Sequence, residues 1–291
     1  MKNPHPIFTT ILLVLVCFTL APAARAVDPP PDGGYPNDNT AEGDFALQHL
    51  NGGFQNAAFG TSALYYNTVG SNNTATGNDS LHRNSTGNDN TATGAYSLLN
   101  NTTGFENTAT GAYSLARNTT GNDNTATGFK ALFNNSASYN TAFGGHAMYH
   151  NDSGTFNTAN GFDLLYSNTT GQGNTGVGDE SLFSNTTGSA NTAIGETALY
   201  LNTTGSEHTG NGVDALFSNT TGNDNTAVGT NALYYNTIGT QNTASGAFAL
   251  EYNTTSNSST VDGFQALFHN TTGANNTAIG FHALFNNNRV L

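Results

Sequence analysis

"NTATGAYSLLNNTTGFENTATGAYSLARNTTGND", residues 90–123, gives nearly the same seventeen residues twice in succession. Aligned on the phrase N-T-A-x-G, the unit begins at residues 39, 56, 73, 90, 107, 124, 140, 157, 174, 191, 208, 225, 242, 259 and 276. Thirteen of the fourteen intervals are 17 residues, and the one from 124 to 140 is 16. A period this constant is an architectural unit, and it is read before any local propensity.

The consensus is N-T-A-x-G-x-x-A-L-x-x-N-T-T-G-x-x. Position 5 is Gly in every repeat, position 9 is Leu except at Met148, and position 12 is Asn except at Leu50. Position 3 stays small apart from Val261. Recurrent Gly and β-branched Thr disfavour helix. The unit instead fits one coil of an all-β, single parallel β-solenoid (a β-roll) of about fifteen 17-residue coils. The pattern predicts a strand at positions 2–4, a turn at the fixed Gly, a second strand at positions 7–10 and a return turn through N-T-T-G. At about 4.8 Å per coil, fifteen coils make a rod of roughly 70 Å. Stacked Asn side chains at positions 1 and 12 are expected to bond one another in ladders. Both Gly columns are expected to mark positive-φ turns. The 16-residue repeat loses its residue in the return turn, where a shortened loop spares the strands.

All seven prolines lie at or before Pro36, and the 255 residues that follow have none, as continuous strand stacking requires. Disordered segments usually admit proline and lack such a hydrophobic beat. Three domains follow. Lys2, the apolar run Ile7–Leu20 and Ala24-Arg25-Ala26 read as a signal peptide at 1–26; the run is too short for an anchor helix. Residues 27–38, "VDPPPDGGYPND", read as a Pro/Gly-rich linker, and 39–291 as the repeat domain. Cys17 sits deep in the apolar run, away from any lipidation pattern, and is the only cysteine, so an exported chain would carry no disulfide.

Beyond residue 26 the chain keeps four basic residues (Arg83, Arg117, Lys130, Arg289) and all 19 acidic ones, 4 − 19 = −15. That balance argues against nucleic acid and anionic lipid as partners. No membrane-spanning segment is expected in the mature chain, whose place is secreted or on the cell surface.

If Leu at position 9 points inward, strand alternation turns positions 8 and 10 the other way. Position 8 is Ala or Ser except at Leu164. Position 10 is aromatic in ten repeats: Tyr65, Phe133, Tyr149, Tyr166, Phe183, Tyr200, Phe217, Tyr234, Phe268 and Phe285. Either the coil bends to bury these rings, or the stripe is an interface with other copies of the chain.

"NTAIGETALYLNTTG" from Asn191 and "NTAIGFHALFNN" from Asn276 resemble the A-I-G-x-x-A-x motif of YadA-like heads in trimeric autotransporter adhesins. The resemblance covers residues 39–291 through its Gly and Ala columns. It implies a left-handed β-roll assembled as a homotrimer, on the exterior of a bacterial envelope, for attachment to host matrix, cells or other surfaces. The chain departs from the family in its longer coil with the N-T-T-G return, and it ends inside its fifteenth repeat without stalk heptads or barrel strands, so a released or truncated head is expected.

Nothing interrupts the repeat to supply a catalytic cluster, so no enzyme, cofactor or metal is expected; the histidines scatter without metal-ligand spacing. "TGND" recurs at 76–79, 86–89, 120–123 and 221–224, but a calcium-stapled roll would carry its Asp in nearly every coil. Sequons such as Asn118-Thr119-Thr120 and Asn202-Thr203-Thr204 are read as turn chemistry. "TAT" at 74–76, 91–93, 108–110 and 125–127 resembles the T-x-T face of ice-binding solenoids. An ice- or carbohydrate-binding monomeric rod is therefore the alternative, and a ligand would meet variable positions 6, 7 and 11.

Overall fold

The computed structural model describes residues 35–287. The expected signal peptide at 1–26 and residues 27–34 of the expected linker lie outside the described residues. Fifteen three-residue strands, β1 (Thr40–Glu42) to β15 (Thr277–Ile279), pair in chain order in one parallel sheet. All fifteen strands are at positions 2–4 of the repeat, and one isolated antiparallel bridge joins Tyr35 to Asn39. Register advances by one whole coil each time, so that Thr91, Ala92 and Thr93 of β4 (Thr91–Thr93) face Thr108, Ala109 and Thr110. The expected solenoid is present, and coil 1 is numbered from Asn39 and coil 15 from Asn276. Position 3 is buried while positions 2 and 4 face out, which is why position 3 is small.

The second strand does not form. Positions 6–11 are a continuous turn in every coil, with φ near +55° at positions 7 and 9, as at Tyr96 (60°), Leu98 (48°), Thr197 (54°) and Leu199 (56°). Each left-handed residue reverses the side-chain direction that a strand would impose, so alternation fails. Positions 8 and 9 both point inward: Ala198 and Leu199 are both fully buried. The backbone still bonds coil to coil, with the Leu98 amide donating to the Ser114 carbonyl (2.9 Å) and the Asn100 amide to the Ala116 carbonyl (3.1 Å). Left-handed L-residues cost about 1–2 kcal/mol each. Burying a Leu returns about 1.5–3 kcal/mol, and every coil but the last buries one at position 9, or Met148 in its place.

The interior is half apolar and half amide. In each column, the Asn Nδ2 of one coil donates to the Asn Oδ1 of the coil before: Asn90 to Asn73 (3.1 Å) and Asn107 to Asn90 (3.1 Å) at position 1, Asn101 to Asn84 (2.8 Å) and Asn118 to Asn101 (3.0 Å) at position 12. Both columns also donate to one shared acceptor, the position-15 carbonyl; Asn90 and Asn101 meet on Gly104 O at 2.8 and 2.9 Å. The expected ladders are therefore present, and the N-T-T-G asparagines are buried inside them.

The two Gly columns have different causes. At position 5, Gly94 has φ +127° and a Cβ there would lie 2.7 Å from the Gly111 carbonyl carbon. At position 15 φ is ordinary, contrary to the expectation of a left-handed turn; a Cβ on Gly87 would run into Gly104 O and Asn84 Oδ1. In the 16-residue coil Ala137 takes that place, and its carbonyl accepts from Asn124 (2.8 Å) and Asn135 (2.7 Å). The deletion falls in the return turn, and β6 (Thr125–Thr127) and β7 (Thr141–Phe143) stay in register.

Leu164, the large residue at position 8, is accommodated by the next coil: Gly176 replaces Ala at position 3, and a Cβ on it would overlap Leu164 Cδ2. Gly210, at the same position two coils on, would hold a Cβ at ordinary contact distance, 3.4 Å from Ala215 O and 3.5 Å from Leu199 Cγ. Gly210→Ala is expected to leave stability unchanged or raise it by up to about 1 kcal/mol, through the entropy of the unfolded chain. Gly176→Ala is expected to cost about 1–3 kcal/mol by overpacking. Denaturant midpoints of the two variants check the contrast.

Candidate functional site

With the interior this constant, the surface carries what differs between coils. The ten aromatic residues of position 10 lie neither in the core nor free of one another. Each is half-buried on the outer side of the turn. From Phe133 to Tyr234, coils 6 to 12, seven rings stack face to face: neighbouring centroids are 5.0–5.3 Å apart and planes within 11° of parallel. Phe268 and Phe285 form a separate pair at 5.0 Å, and Tyr65 stacks on His82. Each interior ring covers its neighbours' faces and presents only its edge, so no ring face is left there for a sugar to stack on.

Glu251 interrupts this ladder. It occupies position 10 between Tyr234 and Phe268, nearly buried, and burial pushes its carboxyl above the usual range, partly offset by a hydrogen bond from Asn231. At the other end, the Arg117 guanidinium lies 5.2 Å from the Phe133 centroid. Lys130 reaches Phe129 (5.1 Å), Phe133 and Tyr149 (both 5.9 Å), so positions 6, 7 and 10 of adjacent coils form one surface.

A second apolar line runs beside the ladder, and the sequence reading passed over it because it alternates between two columns. From coil 6 to coil 12, one of positions 4 and 6 is apolar in every coil: Phe129, Phe143, Phe162, Val177, Ile194, Val213, Val228. All seven are exposed by 41–50%. The two positions flank the corner made by the invariant glycine at position 5, and the signal appears only when both are read together. Coils 3–6 instead carry Thr at both positions 2 and 4, and these side chains point out.

Titratable groups are dispersed over this surface. Among the described residues no three His, Cys, Asp or Glu side chains converge as metal ligands. Of the "TGND" acids, Asp89 and Asp123 flank Glu106 at position 17. The Glu106 carboxyl titrates above its usual range because it shares a hydrogen bond with Asp123 and is repelled by it. His146 Nδ1 lies 3.1 Å from Asp163 Oδ1. A hollow of about 250 Å³ at the N-terminal end is bordered by Tyr35, Phe45 and Leu47. No helix among the described residues is long and apolar enough to cross a membrane.

His208 is the exception in burial. It replaces Asn in the position-1 ladder and is 1% exposed. Its Nε2–H donates to Gly222 O (2.6 Å), and its Nδ1 accepts from the Asn225 amide (3.1 Å), which copies the two bonds of an Asn with a neutral imidazole. Burial lowers its pKa to about 4, opposed by the Gly222 hydrogen bond.

Comparison with protein-family models, with curated proteins and with solved structures returned no match in any of the three.

The unfolded chain takes up a proton at His208 near pH 6.5 and the folded rod near 4, so the stability held above pH 6.5 is lost progressively as pH falls through that window. About 2 kcal/mol is expected to disappear between pH 7 and pH 5 from this group. His208→Asn restores the ladder and is expected to remove that part of the slope. Denaturant midpoints at the two pH values check it.

Proposed function

We propose that the chain is an exported, non-catalytic β-solenoid that mediates attachment at the bacterial cell surface or after release from it. The observation that carries this reading is the division of labour within each coil. Positions 1, 3, 9 and 12 are occupied almost uniformly and buried, while positions 6, 7 and 11 vary freely and lie mainly at the surface. A rod of this kind presents a different row of side chains at each of fifteen levels without altering its scaffold. The likeness of the Asn191 and Asn276 repeats to YadA-like heads supports the same reading, and through it a homo-oligomer. The high acidic balance suits a surface protein that must stay dispersed.

Export is tested by producing the chain with its own N-terminus and sequencing the released protein; cleavage is expected before Val27. Attachment is tested by retention of the purified, folded chain on collagen, fibronectin and bare polystyrene. Saturable retention on one of them, changed by exchanging residues at positions 6, 7 and 11 between coils, is the expected result. A folded chain retained by none of them removes the adhesin reading.

One observation favours a second reading. The four T-A-T strands of coils 3–6 display two outward Thr columns on a sheet in strict register. As an ice-binding face, they would give thermal hysteresis that Thr93→Tyr together with Thr110→Tyr abolishes; freezing behaviour identical to that of an inert protein excludes it.

A further inference from the structure

We propose that Phe156, with the gap left beside its ring at Gly173, is a binding site for a neutral sugar ring. The site uses positions 16, 17 and 2 rather than the variable positions 6, 7 and 11. It goes beyond the attachment reading and does not depend on it.

The first argument is the ring itself. The last residue of each coil from Gln55 to Asn275 is left-handed, with φ between +55° and +65°. It is polar or small in every coil except two, where Tyr139 ends coil 6 and Phe156 ends coil 7. These rings stack with parallel planes and centroids 5.0 Å apart. Coils repeat at about 4.8 Å, so the stack runs along the rod: Tyr139 covers one face of Phe156, and the other face looks toward coil 8. There the column carries Gly173, where a Cβ would meet nothing nearer than Ala190 N at 4.0 Å. Phe156 is accordingly 63% exposed, more than any other aromatic residue of coils 2–14. The position-10 ladder has no such free face among its interior rings.

The second argument is what surrounds the ring. An aromatic face is the negative side of the ring quadrupole and attracts polarised C–H groups. A pyranose offers a flat C–H face with hydroxyls around its rim. On one side of Phe156 and Gly173 the neighbouring column holds Thr155, Gln172 and Ser189. On the other, two residues further along the chain, Thr158 and Thr175 point outward from the strands Thr158–Asn160 and Thr175–Val177. Each of these hydroxyls and the Gln172 amide can both donate and accept.

The third is charge. At positions 16, 17 and 2 of coils 7–9 no residue is charged, although the chain as a whole is strongly acidic. The nearest acids in the same column are Asp123, two coils below Phe156, and Glu207, three coils above it, about 10 and 14 Å away. A cation on the ring would find no counter-charge in this column, and a phosphate would find no cationic partner among these positions. The hydroxyl-lined, uncharged margin fits a neutral ligand.

The test is saturation-transfer NMR on the purified, folded chain with the methyl glycosides of glucose, galactose, mannose and N-acetylglucosamine. Choline and benzyl alcohol serve as cationic and aromatic probes. Irradiating the protein is expected to transfer saturation to the ring C–H protons of at least one glycoside. Phe156→Ala is expected to abolish the transfer. So is Gly173→Gln, which lays over the ring a side chain that the same column already carries at Gln55 and Gln241. Phe162→Ala, which removes a 50% exposed ring from the other apolar line, is expected to leave it unchanged. Circular dichroism of each variant verifies that the solenoid is intact, and Gly173→Gln keeps the test in force should Phe156→Ala fail to fold. No transfer to any of these glycosides, transfer that survives in either folded site variant, or its loss in folded Phe162→Ala overturns the proposal. Transfer to choline or benzyl alcohol alone also overturns it, and assigns the ring to a cationic or aromatic partner.

Discussion

The position-15 carbonyl is the point on which each coil closes. Two asparagine amides from opposite ends of the coil, such as Asn90 and Asn101 at Gly104 O, converge on it, and each amide oxygen then accepts from the next coil. In the regular coils each Nδ2 thereby uses both protons and each ladder oxygen has a donor, so most of the polar interior is satisfied without water; Asn270 Oδ1, near the C-terminal end, is buried without a partner. Buried amides that lack such partners would cost several kcal/mol per coil. Much else in the repeat follows from this convergence: position 15 is Gly in most coils and the small Ala137 or Ser256 in two others, position 12 is Asn in every coil but the first, and the 16-residue coil is shortened between those two positions.

The ladder tolerates few substitutes, and those present are instructive. His208 fits because a neutral imidazole offers one donor and one acceptor at spacings close to those of an amide. Ser259 fits only in part: the Asn276 amide reaches its hydroxyl at 3.3 Å. Leu164 changes the packing instead, and the missing volume at Gly176 is an adjustment made by the coil that stacks directly on it.

The strand at positions 2–4, the fixed Gly at position 5, the Leu column and both Asn ladders were legible because a strict period converts each sequence column into a physical column. The region from position 6 to position 11 was not. Reading it as a strand assumed that neighbouring side chains alternate, and nothing in Tyr96, Lys130, Thr197 or the leucines announces the left-handed φ that cancels alternation. Such conformations are costly for bulky side chains, so no local propensity would select them; the stacking of the whole coil does. The aromatic column was visible, but the face-to-face packing of its rings, which leaves it half-buried, depends on that same unread turn. The line from Phe129 to Val228 escaped because it follows no single column.

Coils that touch only their neighbours also define how the rod responds to a pull. Traction on one end loads a single layer at a time, since the remaining ladders lie beyond the coil being peeled. Each layer that yields shortens the rod by about 4.8 Å and frees seventeen residues, enough for roughly 55–60 Å of extended chain. A tether built this way lengthens in steps under load, and the layers still stacked keep their surfaces unchanged.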